Sequence, residues 1–136
     1  MTTSKKVLFI DGDKEARGHR TQELISCSSD YEVLEAETGR SGLELCESQR
    51  IDCVVLDEDL PDMLGFRVLL KLVARSPQIA VVVLTEPGLP ITSQLLKNYG
   101  AQECLGRDRA SGDELDKAVQ KAIGLVASAD EARRAS

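Results

Sequence analysis

No stretch of the chain reaches the roughly 20 apolar residues that a membrane-spanning helix needs. Its first residues, Met1-Thr2-Thr3-Ser4-Lys5-Lys6, also lack the long apolar segment and cleavage site of a secretory leader. A soluble cytoplasmic protein with no membrane contact is therefore the expectation. Basic residues are not in excess either: 17 Lys and Arg stand against 23 Asp and Glu, a formal net charge of −6. Nucleic-acid binding needs a basic face to neutralise phosphates, so this balance argues against it. Cysteines paired at metal-binding spacing are missing as well. Cys27, Cys46, Cys53 and Cys104 are scattered without a C-x-x-C motif, each in an apolar or helical stretch. They read as small reduced thiols, not as a disulfide or zinc site. The one histidine, His19, has no Asp, Cys or His at ligand spacing and reads as a helix-surface or partly buried side chain.

What the chain does have is apolar runs that end in carboxylates. Val54-Val55-Leu56 leads into Asp57-Glu58-Asp59 and then Leu60-Pro61. A short β-branched run bounded by turn signals reads as a strand buried on both faces, as in a parallel sheet covered by helices. Lys6-Val7-Leu8-Phe9-Ile10 ends in the same way, in Asp11-Gly12-Asp13. Open α/β sheets bind ligands beyond the carboxyl ends of their strands, where strand order reverses. If the two strands are neighbours their carboxylates converge, and converging carboxylates need a hard cation, usually Mg2+, or must share protons.

The remaining elements alternate with these. Lys14–Ile25 reads as a charged surface helix with a weak apolar face, Tyr31–Ala36 as a half-exposed edge strand, and Ser41–Glu47 as a short helix after the turn residues Thr38-Gly39. The central strand, Asp52–Asp57, follows. Phe66–Val73 is helical by its spacing and stops at Ser76-Pro77. Ile79–Leu84 is the most apolar strand and ends in Thr85. Glu86-Pro87-Gly88-Leu89-Pro90 is a loop, with Pro90 opening a helix over Ile91–Tyr99 that Gly100 closes. Glu103-Cys104-Leu105 is a short strand before Gly106-Arg107-Asp108. The last helix starts near Ser111, where Ser111-Gly112-Asp113-Glu114 resembles a capping box, and runs to about Val126. The organisation expected is one domain over 1–128, a fraying tail over 129–136 and no output domain. Five strands alternating with five helices imply a doubly wound parallel sheet of order 2-1-3-4-5, which brings Asp11, Asp13 and Asp57 into one cleft.

With these residues in place, the chain from Lys6 to Val126 resembles the response-regulator receiver domains of two-component signalling, a flavodoxin-like fold. The resemblance rests on Asp11 ending strand one, Asp57 ending strand three with Pro61 and Gly65 behind it, Thr85 ending strand four, and a basic residue, Arg107, after strand five. It implies that Asp57 is the phosphoacceptor, served by a histidine kinase or phosphotransfer protein. It further implies that Asp11, Asp57 and the backbone carbonyl of Asp59 hold Mg2+, that Thr85 bonds a phosphoryl oxygen, and that Arg107 replaces the family's strand-five lysine. Beyond self-catalysed phosphoryl acceptance and slow autodephosphorylation no enzymatic activity is implied. Output would pass by protein contact to a downstream protein or as a homodimer, through the face of the fourth helix, fifth strand and fifth helix, with Leu95, Leu96, Tyr99, Leu105 and residues of the last helix as its candidates.

Several positions depart from the family. Gly12 stands where a second acidic residue is usual, leaving Asp13, one residue late, to substitute. Arg107 is followed by Asp108 instead of proline, Glu86 follows Thr85 where a small residue is preferred, and Cys104 takes the place of an aromatic switch residue. These changes weaken metal binding and the usual readout, so a phosphorylation-independent pseudo-receiver is the alternative reading. A lesser alternative is a haloacid-dehalogenase-like phosphatase using Asp11 and Asp13 as its D-x-D pair, although the chain is short for that family's core and cap.

Overall fold

The computed structural model describes residues 4–86 and 90–135. Five strands, β1 (Lys5–Ile10), β2 (Tyr31–Ala36), β3 (Cys53–Asp57), β4 (Ala80–Thr85) and β5 (Glu103–Gly106), alternate with the helices α1 (Lys14–Cys27), α2 (Gly39–Ser48), α3 (Gly65–Arg75), α4 (Pro90–Asn98) and α5 (Gly112–Ala135). The sheet is parallel in every pairing and runs β2-β1-β3-β4-β5, the expected order.

Strands β3 and β4 are buried along their whole length. Their residues alternate between two cores because successive side chains leave a strand on opposite faces. Val54, Leu56, Val81 and Val83 join Cys46, Val68, Leu72 and Leu96 on the face covered by α2, α3 and α4. Cys53, Val55, Val82 and Leu84 join Leu24, Leu115, Val119 and Ala122 on the face covered by α1 and α5. An unbroken apolar run is what such two-sided burial requires.

Differences from the sequence expectation have local causes. α2 begins at Gly39, not Ser41, because the Thr38 side chain accepts from the Ser41 backbone N–H while Ser41 returns the bond, a capping box in what read as a turn. A short 3-10 turn, Arg107–Arg109, links β5 to α5. α5 continues to Ala135 through most of the stretch expected to fray, with Asp130 pairing to Arg133 and Arg134 one turn on. Gly100 ends α4 at φ +120, the left-handed region that suits glycine. The loop expected around Pro87 and Gly88 lies outside the described residues.

On the side formed by α4, β5 and α5, Leu95 (51% exposed) and Tyr99 (48%) face outward, whereas Leu96 (4%) is core and Leu105 is half-buried. Leu96 is thus removed from the expected contact face, since its spacing turns it toward the sheet. Glu103 on β5 pairs with Lys97 of α4 at 3.4 Å and with Lys121 of α5 at 3.3 Å.

Candidate functional site

Strand register assembles the site. Ile10 lies opposite Leu56, so the next residues, Asp11 and Asp57, emerge side by side at the carboxyl end of the sheet. Asp57 lies opposite Leu84 and Thr85 opposite Gly106, which brings Thr85 and Arg107 to the same end. Asp11 (4%), Asp57 (7%) and Thr85 (4%) are buried polar residues in an apolar sheet. Behind Asp57 the chain folds back tightly. The Gly65 N–H donates to the Glu58 carbonyl at 2.8 Å, and a Cβ on Gly65 would lie 2.3 Å from the Asp57 carbonyl oxygen. Only glycine fits where α3 begins.

The Arg107 guanidinium contacts the Asp57 carboxylate through Nη2 and the Glu86 carboxylate through Nη1, the latter at 2.6 Å. The Asp57 contact is ionic without hydrogen-bond geometry, which leaves Asp57 Oδ1 and Arg107 Nε buried with no hydrogen-bond partner. Glu86 is tied in turn to the loop after β3, its N–H donating to Glu58 Oε2 at 3.2 Å. Burial, and then the neighbouring Asp11 carboxylate, push the Asp57 pKa up to about 6; Arg107 and the Asp59 backbone N–H pull against that rise. Asp59 follows in the loop, bridged to Leu64.

Asp13 takes a different position. It is exposed and caps α1, its carboxylate accepting from the Ala16 N–H at 3.1 Å. Cys104 sits half-buried on β5 with its thiol directed at the Ser93 carbonyl of α4, 3.6 Å away, and burial raises its pKa to about 11.

Two residues that sequence reasoning missed complete the site. Arg17 and Arg20 lie three apart on α1, hence on one face of the helix, and that face turns inward. Arg17 is buried (8%), donating from Nε to Glu35 Oε1 at 2.8 Å and from Nη1 to the Asp11 carbonyl. Arg20 Nη1 donates to Asp11 Oδ2 at 3.0 Å, and the Asp13 N–H donates to Asp11 Oδ1 at 2.9 Å. The available signal was the spacing of Arg17, Thr21 and Leu24, the buried positions of α1 at i, i+4 and i+7.

Residues 7–120, most of the sheet and its helices, match the response regulator receiver domain family. The chain belongs to that family. Nitrate/nitrite response regulator protein NarL of Escherichia coli is 33% identical over 119 residues, covering 87% of this chain and 55% of that protein. Regulatory protein LuxO of Vibrio cholerae is 32% identical over 94 residues, 69% of this chain and 20% of that one. Protein-glutamate methylesterase/protein-glutamine glutaminase 3 of Rhodospirillum rubrum is 33% identical over 93 residues, 67% and 25% respectively. The receiver thus spans from a fifth to just over half of these relatives. Among solved structures, the signal receiver domain of a putative LuxO repressor from Vibrio parahaemolyticus superposes at TM-score 0.84 with 22% identity, covering 95% of this chain and 97% of that one. A CheY-like receiver from Methanospirillum hungatei gives 0.81 at 23%, covering 93% and 98%. Both share the fold. No helix among the described residues is long and apolar enough to cross a membrane.

Receivers typically bind Mg2+ at the acidic pocket, and the donors in this receiver fit that ion poorly. Both Asp11 carboxylate oxygens are engaged, one by Arg20 and one by the Asp13 N–H. Gly12 offers no side chain, and a Cβ there would lie 2.8 Å from Pro61 Cδ. Asp13 caps a helix and Asp57 faces Arg107. Among the described residues no three Asp, Glu, His or Cys side chains converge as a metal site.

Proposed function

We propose that this receiver accepts a phosphoryl group on Asp57 from a histidine kinase or phosphotransfer protein and relays its state by protein contact. The observation that carries the reading is the placement of Asp57, a buried carboxylate ending β3, with Thr85 ending the adjacent strand and the Arg107 cation against it. An Asp57 oxygen would form the new O–P bond as the donor's P–N or P–O bond breaks, and the donor imidazole or acyl oxygen would leave with the electron pair. Thr85 would donate to a phosphoryl oxygen, and Arg107 would leave Asp57 for the incoming dianion, whose charge its guanidinium fork matches. That exchange would couple phosphorylation to the 3-10 turn and α5. The outward Leu95 and Tyr99 are the candidate contacts for a homodimer or a downstream partner.

A second reading, a phosphorylation-independent interaction module, draws support from the same Arg107–Asp57 pair, because a carboxylate that keeps its counter-ion has less tendency to react. The phosphatase reading has less support: Asp13, its required acid/base, caps α1.

Intact-protein mass after incubation with acetyl phosphate, for the native chain and Asp57→Ala, separates the two main readings. A gain of one phosphoryl group that Asp57→Ala abolishes is expected. No gain from acetyl phosphate or from a phosphohistidine donor would move the assignment to the interaction module.

A further inference from the structure

Of the three arginines at the carboxyl end of the sheet only Arg107 stands at a family motif position, yet Arg20 and Arg107 contact the two carboxylates that define the site, and Arg17 holds the Asp11 carbonyl. We propose that Arg20 takes the place of a divalent cation at Asp11, so that this receiver keeps its acidic site folded and charge-balanced without metal.

Charge is the first argument. Asp11 and Asp57 sit next to each other, nearly excluded from water, where two bare carboxylates would repel strongly. Arg20 compensates Asp11, and Arg107 compensates Asp57 while also touching Glu86. A divalent cation entering this arrangement would meet two resident guanidiniums and would have to displace at least one of them.

Position is the second. Asp11 is 4% exposed and the Arg20 side chain only 14%, so the pair is largely desolvated. Arg20 projects from the same face of α1 as Arg17, whose guanidinium joins Glu35 to the Asp11 carbonyl, so the helix presents two cations to this end of the sheet. Arg20 and Arg107 also line one cavity of about 270 Å³, together with Ala16, Glu23 and Ser111, so the two cations stand close to each other beside the site. A guanidinium built into a helix is present at all times, and its ordering entropy is already spent when the protein folds.

Donor supply is the third. Mg2+ demands near-octahedral oxygen coordination. The position beside Asp11 that could have given it a second carboxylate is Gly12, crowded by Pro61. The inference stands apart from the phosphoryl-transfer reading, because its readouts are metal binding and folding stability.

The test uses the full chain, stripped of metal with a chelator, and follows thermal melting with and without millimolar MgCl2. The native chain and Arg20→Lys are expected to melt at the same temperature under both conditions. Arg20→Gln leaves Asp11 buried without a counter-ion, so it is expected to melt roughly 5 °C below the native chain in metal-free buffer. A native chain that melts higher in Mg2+, with the rise lost in Asp11→Asn, would overturn the proposal. So would an Arg20→Gln chain that melts as high as the native chain without metal. A readout free of any variant is Mn2+ broadening of the native amide NMR signals. Signals around Asp11 and Asp57 that stay sharp support the resident arginine, and selective broadening there refutes it.

Discussion

Arg107 touches Asp57 with one nitrogen and Glu86 with the other, so a single side chain from the turn after β5 joins the ends of β3 and β4. Arg107 is one of the groups holding the Asp57 pKa down against burial and Asp11. Arg107→Ala should therefore raise the Asp57 pKa above its present value of about 6, while Arg107→Lys should raise it less. Titration of the Asp57 side-chain carbon by 13C NMR reads this directly. A fall in the alanine variant would mean that the arginine is not the partner described.

Stability should depend on pH through the same carboxyl group. In the fold it holds its proton up to about pH 6, against 3.8 for an ordinary aspartate, so the native state binds that proton more tightly than the unfolded chain does. The ionised form thus destabilises the fold above pH 6, by an amount of roughly 3 kcal/mol if the whole difference is counted, and the cost disappears below the unfolded value. Asp57→Asn keeps the shape without the charge. It should be more stable than the native chain by about 1–3 kcal/mol in mildly alkaline, metal-free buffer, with the advantage gone near pH 4. Urea unfolding at both pH values tests the sign.

Buried and exposed arginines should differ sharply. Arg17→Ala removes bonds to the Asp11 carbonyl and to Glu35 at a largely buried position, and should cost about 2–4 kcal/mol. Arg40→Ala breaks only an exposed pair to Glu44 on α2 and should cost less than about 0.5 kcal/mol. Equal effects in chemical denaturation would contradict this account of the α1 arginines.

Two glycine substitutions should have opposite signs. Gly65→Ala drives a methyl group into the Asp57 carbonyl and should destabilise by at least about 2 kcal/mol while disturbing the acceptor loop. Gly18→Ala on α1 meets nothing within 4 Å and should stabilise by roughly 0.5–1 kcal/mol. Melting temperatures of the two variants check both.

The strands, their order and the convergence of Asp11, Asp57, Thr85 and Arg107 were legible because a parallel strand covered on both sides must be apolar throughout, and its polar end residue then stands out. Val54–Asp57 and Ala80–Thr85 are such cases. The inward arginines were not legible. Helical periodicity is read from apolar residues, and on α1 the inward positions hold Arg17, Arg20 and Thr21, with Leu24 alone giving the hydrophobic signal. Asp13 was read as a possible ligand because it lies one residue beyond Gly12 at a strand end, and in the fold it caps α1, a common role for an aspartate directly before a helix. The long α5 was cut short because Ala129–Ala135 lacks apolar spacing, whereas alanine propensity and close ion pairs sustain the helix there.

The clasp of Glu103 between Lys97 and Lys121 bears on how two copies of this protein could meet. β5 is the outermost strand on its side of the sheet and only four residues long, and the lysines reach it from helices on opposite faces. Their charges flank the open backbone rim, where an incoming strand would otherwise add to the ladder. Charged side chains beside an edge strand oppose addition of a further strand there, so the clasp guards the rim of the sheet as well as tying α4 and α5 to β5.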